Sequence, residues 1–223
     1  RSLLRHPANE LGDTRSGLLF ALAAYGIWGI VPIYFVWVSF AQPLEVVAHR
    51  VVWGIPLLGL LLLASGQWRS IKSLAPSAFG YLLVSALCLS INWLTFIYAV
   101  QTERIAEASL GYFINPLVSI VLGWLFLREQ LRPLQWLAVA LALVGVCSEL
   151  WVRTNLPWLG LTLALSFGLY GLLRKQVNVG AVVGLSIETA VVAPFAIGFL
   201  FCLSLHGDAR DIGVVLSLGL GGL

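Results

Sequence analysis

Seven runs of about twenty predominantly apolar residues follow one another through this chain, separated by short polar gaps, and an eighth begins near Ile212. A helix needs about 20 residues to cross the hydrocarbon of a bilayer. Inside hydrocarbon every backbone N–H and C=O must be satisfied within its own segment, so each run reads as a helix. The spans fall at roughly 17–37, 45–65, 78–99, 107–127, 133–152, 157–173 and 182–204. The fold class is therefore all-α: a polytopic helical membrane protein with tight connections and no separate soluble domain. Composition agrees, with 60% hydrophobic and 10% charged residues among 223 and a mean hydropathy of +0.95, against about 25% charged residues in a soluble domain. The first run follows a polar, arginine-containing stretch, is longer than a signal-peptide core and has no small-residue cleavage site, so it reads as a retained helix. The chain lacks methionine and stops inside an apolar run at Leu223, and is expected to be a piece of a longer protein.

Orientation follows from the basic residues. With residues 1–16 on the cytoplasmic side, the inner segments carry nine of them, Arg1, Arg5, Arg15, Arg69, Lys72, Arg128, Arg132, Arg174 and Lys175; the outer loops carry three, Arg104, Arg153 and Arg210. Cytoplasmic loops are enriched in Lys and Arg, which puts the N-terminus inside. The net charge of +3 is dispersed among the gaps, and no nucleic-acid partner is expected. Cys88, Cys147 and Cys202 each sit in an apolar run, at no metal-ligand or disulfide spacing, and read as small core residues. The nine tryptophans gather toward span ends, as an interfacial belt requires, and read as anchors.

A repeat is visible. Tyr25-Gly26-Ile27-Trp28-Gly29-Ile30 in the first span and Phe167-Gly168-Leu169-Tyr170-Gly171-Leu172 in the sixth share one order of aromatic, glycine and aliphatic residues. Each heads a unit of five spans. Five is odd, so the second unit lies upside down relative to the first, and the complete protein is expected to have about ten spans. The glycine pairs are read as helix-packing positions.

Ionisable residues within a span cost roughly 2.5 to 3.5 kcal/mol at the bilayer centre, so each needs a partner, a wet cavity or a nearby surface. His49 and Arg50 stand about one turn into the second span, and Glu188 a similar depth into the seventh, at corresponding places under the inverted repeat. They are candidates for a substrate or proton pathway; the structural alternative is a helix-end ion pair or snorkelling. Glu107 and Glu149 lie near the outer boundary and are assigned to solvation there. In the fourth span Pro116 removes an N–H and frees the carbonyl of Tyr112, one turn back, beside Asn115. Tyr112, Asn115 and, in the third span, Asn92 serve either a substrate or a neighbouring helix. Pro32, Pro56, Pro116 and Pro194 are expected to kink their spans. No phosphate-binding glycine loop, His-Glu-x-x-His pair, metal-ligand cluster or nucleophile–base pair appears. An enzyme, a cofactor and a metal are accordingly not expected.

The Tyr25–Gly29 stretch, the His49-Arg50 pair, the segment from Glu107 to Leu117, Gln135-Trp136-Leu137-Ala138-Val139 and Ile187-Glu188-Thr189 together closely resemble the RarD group of bacterial EamA-type permeases, in the drug/metabolite transporter superfamily. The resemblance runs from Gly17 to Leu223. It implies a multi-pass protein of the bacterial inner membrane built from two EamA-like five-helix repeats, here 17–152 and a truncated 157–223. It also implies export through a cavity between the repeats; the inverted repeat and the intramembrane ionisable residues point to secondary transport of a small metabolite or drug-like molecule by alternating access. Its partners would be that solute and the bilayer, with a homodimer left open. The rival reading is a polytopic sensor or scaffold that binds without transporting. One departure from the group is Arg128 before Glu129, where relatives tend to have glycine.

Overall fold

A computed structural model describes residues 7–72, 74–128, 131–152 and 156–205. Its eight helices are α1 (Pro7–Trp37), α2 (Pro43–Ala64), α3 (Trp68–Lys72), α4 (Pro76–Gln101), α5 (Ile105–Leu127), α6 (Pro133–Val152), α7 (Trp158–Lys175) and α8 (Ala181–Leu205). Among the described residues no strand forms. Proline opens α2, α4 and α6, where its missing N–H costs nothing because the first helical N–H groups have no intrahelical partner. α5 stops at Arg128, which adopts a left-handed conformation with φ 54 while its N–H donates to the carbonyl of Gly123. That C-terminal position favours glycine, the one residue without a Cβ to crowd it.

The seven expected spans coincide with α1, α2 and α4 to α8, each within a few residues except for the polar extension at the start of α1. Five of them, Gly17–Trp37 of α1 and the whole of α2, α4, α5 and α8, are long and apolar enough to cross a membrane. The protein is thus an all-α, multi-pass membrane protein. The other two of the seven are α6 and α7. α6 runs over 20 predominantly apolar residues. α7 has only 18 residues, ends in Arg174-Lys175 and carries Thr162, Ser166 and Tyr170; packed between neighbours, it does not need a lipid-facing surface all round. The expected eighth span near Ile212 and the side chain of Glu149 lie outside the described residues.

The helices fall into two compact units, residues 1–38 and 39–223. The first holds α1 alone, with Pro32 inside it. In the second, α7 packs against α5 and α4, while α8 packs against α2, and α4 joins the two groups. The α5–α7 seam is the tightest. A Cβ at Gly111 would lie 2.7 Å from the carbonyl oxygen of Gly160, and one at Gly160 would lie 2.8 Å from that of Glu107, so only glycine lets these backbones approach so closely. Of the repeated glycines, Gly168 packs on Val118 of α5, whereas Gly171 has no neighbour that a Cβ would meet. Large apolar side chains such as Leu63, Phe195 and Phe201 point outward, as lipid-facing residues do. Cys88 is buried, but Cys147 and Cys202 are exposed, which corrects their assignment to the core.

Candidate functional site

Helices α2, α4 and α8 line a cavity of about 190 Å³. α2 contributes Val47, Arg50, Val51, Gly54, Leu57 and Leu58; α4 contributes Ala86, Leu89, Ser90 and Trp93; α8 contributes Leu185, Glu188, Thr189 and Val192. Drug-sized ligands usually occupy about 300–1,000 Å³, so this space suits a small organic molecule. Two charged residues line it, Arg50 of α2 and Glu188 of α8.

The guanidinium of Arg50 stacks on the ring of Trp93, 3.2 Å from its centroid, and so joins α2 to α4. Cation–π contact of this kind gains strength away from water. Glu188 is only 2% exposed. Its Oε1 accepts a hydrogen bond of 2.5 Å from the Ser85 hydroxyl of α4 and lies 3.9 Å from Nε of Arg174, at the end of α7. Tyr170, one turn earlier on α7, is within reach of both members of that pair. Arg174 reaches α8 over Gly184, where a Cβ would overlap its guanidinium. Oε2 of Glu188 and Nη1 of Arg174 are buried without a hydrogen-bond partner.

Nearer the Arg174 end, a second space of about 480 Å³ is bounded by Gln67, Ser70, Ser77, Tyr81, Gln176 and Asn178 among others. An apolar plug built around Leu62, Leu82, Val183 and Ile187 stands between the two cavities. On α4, Tyr81 borders the larger space and Ala86 borders the smaller. Five residues of helix make the barrier about 7.5 Å thick.

Of the residues singled out in the sequence, only Arg50 and Glu188 meet at this cavity. His49 is buried at 6% exposure, beside Glu45 of the preceding turn, and is not among the lining residues. Glu45 itself is 4% exposed. Asn92 donates at 3.0 Å to both the Leu163 carbonyl and the Ser166 hydroxyl, tying α4 to α7. Tyr112 is half-exposed, with its ring edge-on to Phe96, and Asn115 accepts a long 3.5 Å bond from Ser119 of its own helix. Pro56, Pro116 and Pro194 lie inside helices that continue through them.

Glu107 is corrected from boundary solvation to a buried interhelical tie. Its Oε1 accepts the N–H of Leu159 at the start of α7 at 3.0 Å, and its Oε2 accepts from Nε and Nη2 of Arg104 at 3.0 and 2.5 Å. Ser85, Arg174, Tyr170 and Gly184 were not singled out as site residues in the sequence. Trp93, read there as an anchor, instead walls the cavity. Among the described residues no group of His, Cys, Asp or Glu is placed to hold a metal ion.

Residues 15–148 match the model of the EamA-like transporter family. The chain is 47% identical over 210 residues to "Protein RarD" of Salmonella typhi, covering 93% of this chain and 71% of that protein. It is 46% identical to an "Uncharacterized transporter" of Vibrio cholerae, covering 86% of this chain and 64% of the relative. To the "Chloramphenicol-sensitive protein RarD" of Pseudomonas aeruginosa it is 36% identical, covering 86% and 67%. The chain thus spans about two thirds of the length of these relatives.

Proposed function

The chain belongs to the EamA-like transporter family, as a RarD-type permease, and from that premise we propose that the complete protein is a secondary transporter that moves a small solute by alternating access through the cavity between α2, α8 and α4. The observation that carries this reading is a cavity lined by one cationic and one anionic side chain from two different helices. Charged groups are expensive in hydrocarbon, and a cavity that a polar solute enters is the setting in which they are retained.

The cavity lies along the boundary between two helix groups, α2 with α8 and α4 with α5 and α7. Two polar contacts cross it, Arg50 to Trp93 and Glu188 to Ser85 and Arg174. Small relative rocking of the groups opens one contact while the other stays made, which is the requirement for admitting solute from one side at a time. The close pairing of α2 with α8, counterparts under the inverted five-helix repeat, supports a duplicated architecture of about ten spans. The excess of Lys and Arg in alternate loops supports a cytoplasmic N-terminus in a bacterial inner membrane; export is the direction to test first.

The test is flux through proteoliposomes of the full-length protein, with chloramphenicol and a panel of small amphipathic metabolites as solutes. Transport of at least one solute above empty liposomes, lost on Arg50→Ala or Trp93→Ala, is expected. Binding without flux for every solute would move the protein to the sensor or scaffold class.

A further inference from the structure

We propose that Glu188, Arg174 and Ser85 form a proton-operated latch on the inner side of the cavity, so that the proton is the coupling ion. This deepens the transport reading and rests on it. The geometry is that of a contact built to be broken. Among the described residues α7 and α8 share no extensive backbone packing; the Arg174 side chain bridges them, passing over Gly184 to reach Glu188. At 3.9 Å the ion pair is loose. It leaves one buried acceptor and one buried donor, Oε2 and Nη1, without partners. An orphan polar atom on each member of one pair is a standing penalty for the closed arrangement, and a proton delivered to Glu188 removes its reason to persist.

The groups that face Glu188 define the response. Arg174 and Tyr170 approach from α7, Ser85 from α4, and Arg50 stands on the α2 wall of the shared cavity. Of these Arg174, Ser85 and Tyr170 hold the carboxylate across the group boundary. Protonation cancels the negative charge that draws Arg174 inward. The guanidinium, in the last turn of its helix, then extends to the nearby surface on its aliphatic stem. The α8 side of the plug, Val183 and Ile187, loses its tether to α7 with it. Acid therefore favours an inner-open cavity and alkali a latched one, because the proton binds the state in which the carboxylate has lost its partners.

The experiment uses the full-length protein with its native cysteines replaced, carrying Ala86→Cys in the cavity wall, in vesicles that present the Arg174 end to the medium. Alkylation by a membrane-impermeant maleimide is normalised to Ser77→Cys in the larger inner space. Acidification should raise Ala86→Cys labelling about tenfold, the population change expected of a two-state latch. Glu188→Gln and, independently, Arg174→Gln should label at the fast rate whatever the pH; Glu188→Asp should keep the pH response. Labelling that ignores pH, or that still follows it in Glu188→Gln or Arg174→Gln, would overturn the latch. Solute flux, read separately, tells the two claims apart: flux with pH-independent labelling removes the latch alone, and pH-dependent labelling without flux removes transport alone.

Discussion

Two buried glutamates, Glu107 on α5 and Glu188 on α8, have opposite fates. Glu107, at the end of the α5–α7 seam where α7 begins, is fully occupied: one oxygen caps the first turn of α7 and the other is forked by Arg104. Glu188, on the cavity wall, has one oxygen shared by Ser85 and a distant Arg174 and the other unpartnered. A polar group whose every lone pair is met holds structure together; one left half-met in a protein interior calls for a reason, and a moving part supplies it. The surroundings repeat the contrast. The seam around Glu107 is closed by glycine-to-backbone contact, whereas that around Glu188 opens into space on two sides of a thin apolar plug.

The comparison predicts a graded series in stability, read as midpoint shifts in denaturant unfolding of the purified full-length protein. Glu107→Ala has the largest effect, a loss of about 2–3 kcal/mol, the value of hydrogen bonds to a charged group, kept below that of a wholly buried ion pair because Arg104 is 37% exposed. Gly160→Ala comes next at about 2 kcal/mol, the ordinary cost of forcing a methyl into a filled seam; α5 and α7 have to separate to accept it. Glu188→Gln changes stability by less than about 1 kcal/mol, since the amide keeps the Ser85 bond and abolishes the need to hold a buried charge. A loss as large as that of Glu107→Ala would erase the distinction between the two sites. Smallest, and opposite in sign, Arg128→Gly stabilises by about 0.5–1 kcal/mol by relieving the left-handed C-terminus of α5, net of the extra freedom glycine gives the unfolded chain.

Much of the fold was legible in the sequence because hydropathy and helix length are set by the bilayer itself. Span ends at Pro76, Leu127 and Pro133 could be placed closely for that reason. Arg50 and Glu188 stood out because a charge in mid-span is costly wherever its partners are. Their partners were not legible. Arg174 counts toward the inner loops by position, yet its side chain turns back to α8; Ser85 and Gly184 look like ordinary small residues of apolar helices until the crossing is known. Asn92 had two open readings, and its donors are spent on α7. Glu107 was misread for a related reason: a residue near the end of a span is exposed to water only if no neighbouring helix starts there, and α7 does.

The most direct test of transport through this cavity is the two-sided accessibility of Ser90→Cys, midway between the Arg50 and Glu188 contacts, in the full-length protein in sealed vesicles of known orientation. Impermeant reagent should reach this cysteine from either face of the membrane, with modification from one face suppressed under the conditions that favour the other. Labelling from one face alone under every condition would contradict alternating access and leave the cavity as a binding pocket.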